Sequence, residues 1–168
     1  PEKNNLSSIW FHAVSVGELM SIIPVLKKLE KNKKIHQIIV TSSTISSAKI
    51  FEKQKFKKTI HKYFPIDINY LNKKFIKNWK IKTAFFVDSE VWPNMIKNLN
   101  ENKIPIIILN ARITEKSFKR WKILDKFAKS IFEKITLALP SNLDTKNFLK
   151  KLGVKKIEFA GNLKYYGE

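Results

Sequence analysis

No cysteine occurs anywhere in the chain. Disulfides, thiolate metal ligands and thiol nucleophiles are excluded with it, and a reducing compartment fits the absence. No apolar run approaches the roughly 20 residues that a membrane-spanning helix needs. The opening residues, Pro1-Glu2-Lys3-Asn4-Asn5, lack the apolar stretch of a signal peptide and lead abruptly into a strand-like segment, so a further segment upstream is expected. There is no G-x-G-x-x-G and no P-loop, which leaves dinucleotide or ATP binding without a motif. HExxH, paired-cysteine, zinc-finger and RNP-like patterns are missing too, as are repeats and low-complexity linkers. Arginine is scarce: Arg112 and Arg120 stand against a total of 33 lysines and arginines.

What is present is a chain of 168 residues, 43% hydrophobic and 12% aromatic, which suffices for one ordinary domain with a proper core. Its formal net charge is +19. Such a field attracts nucleic acid, anionic lipid or phosphorylated substrates. Lysine, isoleucine, asparagine and phenylalanine are all abundant, as an AT-rich genome would produce, so much of the lysine is solvated surface. A non-enzymatic nucleic-acid-binding module would cluster lysines and aromatics on one face. Here the lysines are spread along the whole chain, which weighs against it.

Strand-like and helix-like stretches alternate. Residues 8–11, 35–40, 59–64, 83–87, 104–109, 136–139 and 156–159 read as strands. Residues 18–30, 45–54, 67–79, 92–101 and 141–151 read as helices, and one or two more cover 115–133. Thr41-Ser42-Ser43-Thr44 offers hydroxyls to cap the second helix. The near-continuous apolar strands argue for an α/β, Rossmann-like, mostly parallel sheet with helices on both faces and right-handed crossovers. The domain is expected over residues 1–160, with 161–168 starting a connection to a second domain.

Polar residues recur just after apolar strands, at the carboxyl edge where such sheets bind ligands. The first case is His12-Ala13-Val14-Ser15-Val16-Gly17-Glu18. Gly17 permits a tight loop and close approach of the backbone. Glu18 falls at a helix N-terminus, which favours its ionised form, available as a base though not a strong one. Acidic residues are also common there for helix stability alone. The second case is Asp88-Ser89-Glu90, whose two acids with Glu18 could line one cleft; alternatively Asp88 or Ser89 simply caps the helix entered at Pro93 and Glu90 favours its dipole. No ligand spacing supports a metal. The third is Asn110-Ala111-Arg112, where Asn110 is equally a turn residue. Both arginines lie in this segment, and a planar bidentate donor suits carboxylate or phosphate. His12 is read as a satisfied structural histidine.

Four blocks in order resemble the N-terminal domain of the 3-deoxy-D-manno-octulosonic acid (Kdo) transferases. They are residues 12–18, then Asp88-Ser89-Glu90-Val91-Trp92-Pro93-Asn94, then Asn110-Ala111-Arg112 with Ser117, then Gly161-Asn162-Leu163-Lys164. Two departures stand out: the family often has Glu-Thr-Glu where this chain has Asp88-Ser89-Glu90, and Gln where it has Pro140 before Ser141. The resemblance implies the N-terminal half of a GT-B glycosyltransferase. It implies transfer of Kdo from CMP-Kdo to the lipid A precursor (lipid IVA) in lipopolysaccharide biosynthesis, with no metal or other cofactor. By the same resemblance Glu18 is the general base and Glu90 a second catalytic acid. Ser15, Gly17, Asp88, Asn110 and Arg112 bind acceptor, and Lys164 approaches the donor side. The expected partners are lipid A precursor, CMP-Kdo held by a C-terminal domain, and an anionic membrane surface, with no nucleic acid. The expected location is the cytoplasmic face of the bacterial inner membrane, and this domain by itself is expected to turn nothing over. A GT-B-like transferase for another acceptor is the alternative within the same fold.

Overall fold

A computed structural model of the chain describes residues 6–89 and 91–159. Glu90, Lys164 and the expected boundary at 160/161 lie outside the described residues. Six strands form one parallel sheet in the order β3-β2-β1-β4-β5-β6. They are β1 (Ser8–His12), β2 (Gln37–Ser42), β3 (Thr59–Tyr63), β4 (Ile81–Val87), β5 (Ile106–Ala111) and β6 (Leu137–Pro140). The helices are α1 (Val16–Glu30), α2 (Ile45–Glu52), α3 (Asn69–Asn78), α4 (Pro93–Glu101), α5 (Glu115–Ile123), α6 (Asp125–Phe132) and α7 (Leu143–Leu152).

The layering follows from strand alternation. Trp10, Ile39, Phe86 and Ile108 point to one face, where they pack with Phe75 of α3, Met95 and Ile96 of α4, Phe132 of α6 and Leu149 of α7. Phe11, Ile38, Val40, Val87 and Leu109 point to the other, against Leu19, Ile22 and Leu26 of α1 and Phe51 of α2. Right-handed crossovers demand this: moving from β1 to β3 puts helices on one side, and returning to β4 and outward puts them on the opposite side. The expected Rossmann-like α/β architecture is the one observed.

Element ends differ by a residue or two from the sequence reading. The segment expected as a last strand at 156–159 makes one parallel bridge, Ile157 with Ala138. Its two hydrogen bonds, Ala138 N–H to Lys156 O (3.0 Å) and Glu158 N–H to Ala138 O (3.0 Å), extend the sheet by a single pair. The stretch expected as one or two helices is two, broken at Leu124, which caps both.

Two carboxylates tie distant segments together. Glu30, at the end of α1, accepts from Lys57 N–H (2.9 Å), Lys58 N–H (2.7 Å) and the Thr59 hydroxyl (2.7 Å), so it pins the start of edge strand β3. Asp67, in the β3–α3 connection, caps α4. The N-cap residue, Trp92, does not cap this helix with its side chain. Instead Asp67 accepts from Asn94 N–H (3.1 Å) and Met95 N–H (2.9 Å), two of the orphan donors of that helix, and from the Asn72 amide (2.7 Å). This corrects two expectations: Asp67 precedes α3 instead of starting it, and the capping offered to Asp88 or Ser89 falls to Asp67.

Burial alone would raise the Glu30 carboxyl, but the hydrogen bonds from Lys57, Thr59 and Lys58 outweigh it and hold the group below the usual carboxylate range. A depressed folded value means stability that is present above the ordinary range and is lost as pH falls through the folded value. Glu30→Ala should therefore cost about 1–2 kcal/mol at pH 7, with the gap to wild type closing as chemical denaturation is repeated toward pH 3. A gap unchanged by pH would contradict this. Asp67→Ala should cost about 1 kcal/mol through the lost cap, read in the same way, with amide exchange at Asn94 and Met95 accelerated.

Candidate functional site

The carboxyl ends of β1, β4 and β5 lie side by side, because β4 is hydrogen-bonded to both neighbours. Strand order reverses between β1 and β4. The first strand hands the chain to α1 on one face and the fourth to α4 on the other. The crevice outside that reversal is where open α/β sheets hold ligands.

Glu18 stands on the β1 side of the crevice, half-buried at the third position of α1. Its carboxylate accepts from Val14 N–H (2.8 Å) and from the Ser15 hydroxyl (3.1 Å), while Ser15 Oγ accepts from Glu18 N–H (3.2 Å). This is a capping box in all but one respect: the glutamate reaches Val14 N–H and not the N-cap amide itself. The carboxylate is thus oriented by its own helix entry. Gly17 departs from expectation. It is the second helical residue, and a Cβ added there would meet nothing nearer than Ser15 Oγ at 4.0 Å. The turn does not require glycine; its absent side chain leaves bare, exposed backbone beside Ser15 and Glu18.

His12 underlies this loop. It is fully buried, its Nδ1 lies 2.8 Å from Thr41 Oγ1, and its ring is tilted by 31° against Phe64 with centroids 4.1 Å apart. Thr41 Oγ1 also accepts from Trp10 Nε1–H at 2.9 Å. The histidine is a structural member of an aromatic layer, as read from the sequence.

On the other side, the ends of β4 and β5 are bent by backbone. Asp88 (φ 66°) and Asn110 (φ 50°) both take left-handed conformations, which aspartate and asparagine tolerate better than other side chains. Asp88 N–H bonds Leu109 O (2.9 Å) and Arg112 N–H bonds Asp88 O (3.4 Å), so the two turns are held together. Between Ile108↔Ala138 and Ala111↔Pro140, β5 has one residue more than β6, a bulge at Leu109-Asn110. Bulges re-aim side chains beside ligand sites. Asn110 itself is buried, and its Oδ1 has no hydrogen-bond partner among the described residues. Its left-handed φ fits the turn role that the sequence also allowed. Pro140 is buried in β6 opposite Ala111 and donates nothing there.

Beyond the bulge, Arg112 is exposed and lines an open hollow of about 290 Å³ with Asp88, Ser89, Thr114, Ser117 and Arg120. Both arginines of the chain therefore meet in one place. Thr114 is the N-cap of α5, its hydroxyl accepting from Ser117 N–H (3.2 Å), and Ser117 and Arg120 follow at helical spacing on one face. The sequence reading singled out both arginines as donors for carboxylate or phosphate and named Ser117 beside Arg112, but gave acceptor binding to Arg112 alone; the spacing of three from Thr114 to Arg120 was the available further signal. A larger hollow of about 790 Å³ lies at the amino edge, lined by Lys73, Lys77, Lys80, Lys82 and Lys103. Lysines at the ends of α3 and α4 there meet the negative ends of helix dipoles. Among the described residues no three His, Asp or Glu side chains gather as a metal-binding group.

A family model described as 3-Deoxy-D-manno-octulosonic-acid transferase (kdotransferase) matches residues 1–166. The 3-deoxy-D-manno-octulosonic acid transferase of Rickettsia felis is 35% identical over 163 residues, covering 96% of this chain and 35% of that protein. A probable mitochondrial 3-deoxy-D-manno-octulosonic acid transferase of Arabidopsis thaliana is 34% identical, covering 95% and 36%. The Haemophilus influenzae transferase is 28% identical, covering 94% and 37%. The chain thus spans about a third of the length of the curated relatives it matches. Among solved structures, the UDP-GlcNAc 2-epimerase of Neisseria meningitidis bound to UDP-GlcNAc aligns with a TM-score of 0.64 at 12% identity, over 93% of this chain and 47% of that one, a likeness of fold alone. The match across nearly every residue makes this chain a member of the 3-deoxy-D-manno-octulosonic-acid transferase family of glycosyltransferases.

Proposed function

We propose that this domain presents the acceptor during transfer of Kdo from CMP-Kdo to a hydroxyl of the lipid A precursor. The observation that carries the reading is the oriented carboxylate of Glu18 at the β1–β4 crevice, with Asp88 and Arg112 on the neighbouring strand ends. Glu18 takes the proton of the acceptor hydroxyl as that oxygen bonds to the anomeric carbon of the sugar, and CMP departs with the electrons of the broken C–O bond. A carboxylate is a mild general base, and two hydrogen bonds hold this one in place. That matches a reaction whose leaving group is already good. Ser15 positions Glu18, and the exposed backbone at Gly17 lets the acceptor come close. Asp88 and Arg112 contact acceptor polar groups. The proposal keeps Glu90 as a second acid and Lys164 on the donor side, by family resemblance.

The acceptor is anionic and lies in an anionic membrane, and the charge of +19 suits both. Basic residues near such a surface gain roughly 1 kcal/mol each. We place the protein at the cytoplasmic face of the bacterial inner membrane on that ground. No helix among the described residues is long and apolar enough to cross a membrane.

The test is CMP release by the full-length protein with CMP-Kdo and tetraacylated lipid A precursor. Glu18→Gln should lower turnover about 100-fold or more with the acceptor KM little changed, since glutamine keeps the shape and one acceptor oxygen. Near-normal turnover in the variant would leave Glu18 a helix-capping residue. A wild-type enzyme that transfers Kdo to a different acceptor would favour the alternative transferase reading.

A further inference from the structure

The hollow beyond the β5 bulge is lined by both guanidinium groups of the chain. All the ion pairs recorded among the described residues use lysine: Lys119–Glu115, Lys122–Asp125, Lys129–Asp125, Lys134–Glu133 and Lys156–Glu158. Neither Arg112 nor Arg120 takes part in one. In a chain that answers every other need for positive charge with lysine, two guanidinium groups lining one hollow are a choice of geometry over charge. Guanidinium groups present rigid, planar forks of N–H donors, which lysine does not. Ser117 lines the same hollow. The bulge at Leu109-Asn110 and the left-handed turns at Asp88 and Asn110 bring Arg112 beside α5.

We propose that Arg112, Arg120 and Ser117 form a seat for a phosphomonoester, with Asp88 receiving a hydroxyl of the sugar ring that carries it. Three terminal oxygens of a phosphomonoester match two forks and a hydroxyl, whereas a carboxylate has two oxygens to offer them. Asp88 would repel a free anion, but it suits a phosphate attached to a polyol, because a ring hydroxyl can donate to it. The volume of about 290 Å³ exceeds a lone phosphate and admits part of a ring. The inference rests on the acceptor reading only for the identity of the ligand: it names the phosphate of the acceptor as the group held there. It adds Arg120 and Ser117 to the specificity-determining residues, and it separates this seat from the catalytic carboxylate on β1's side of the crevice.

The two arginines make the test direct, because the chain yields just two Nε–Hε signals in a 15N-resolved spectrum. Titration with inorganic phosphate at pH 8 should move both on one saturating curve. The affinity should fall several-fold at pH 5.5, where phosphate holds its second proton. Acetate at equal concentration should move them weakly and without saturation. Arg120→Ala should weaken phosphate about tenfold, Arg120→Lys should recover part of that, and Lys77→Ala at the amino edge should change nothing. Two unrelated curves, equal response to acetate, or undiminished binding in Arg120→Ala would overturn the seat. In the transfer assay, Arg120→Ala should raise KM about tenfold for the phosphorylated acceptor and leave the dephosphorylated one unaffected. Phosphate binding lost without that KM difference would overturn the acceptor as its source. Loss of transfer itself is read separately, through Glu18.

Discussion

Burial of β1 on both faces and both edges is the constraint on which the rest depends. Trp10 and Phe11 are sealed into opposite cores, and the strand is hydrogen-bonded to β2 on one side and β4 on the other. A buried strand must satisfy its polar groups internally. Here Thr41 of β2 does so for side chains too, accepting from the Trp10 indole and meeting His12. Register between β1 and β2 is thereby fixed by polar contacts as well as by the apolar pattern. The loop that leaves β1 starts from an immobile base, and the carboxylate of Glu18 is oriented over it. In the proposed reaction this orientation is supplied by the fold before the acceptor arrives.

The second determinant is the way β4 and β5 end. A plain parallel pair would send both chains straight into helices. Instead, left-handed Asp88 and Asn110 and a one-residue bulge turn the backbone sideways, and the two turns are bonded to each other. Strain of this kind persists where surrounding structure over-determines it, and it gathers at ligand sites. Its product is the meeting of Arg112 with the N-terminal half of α5. Asp67, from a third connection, caps α4 and so takes over a task that the β4 end would otherwise have to perform.

Much of this was legible in the sequence, for reasons of range. Near-continuous apolar runs such as Ile106–Leu109 announced buried parallel strands, and the hydroxyl run ending at Thr44 announced the cap of α2, because those signals are local. Glu18, Asp88 and Arg112 were singled out because Asp88 and Arg112 directly follow their strands and Glu18 lies at the helix entry after β1. What was missed is non-local. Asp67 reaches α4 across 27 or 28 residues, and no spacing rule reports that. The bulge depends on how β5 meets β6, so the burial of Asn110 could not be read from a polar residue after an apolar run. Residues 156–159 are β-branched and aromatic enough for a strand, yet their pairing to β6 stops after one bridge. The charge was the least informative signal: it drew attention to lysine, whereas the geometry points to the two arginines.

The central claim is that the acceptor is held at the carboxyl edge, between the β1 loop and the β5 bulge. The most direct measurement is backbone amide mapping of the domain while it is titrated with a water-soluble, phosphorylated glucosamine disaccharide. The account predicts shifts confined to residues 14–18, 88–89 and 111–120, with the amino-edge lysines unmoved. Shifts centred on Lys77, Lys80 and Lys103 instead, with the carboxyl edge silent, would contradict it.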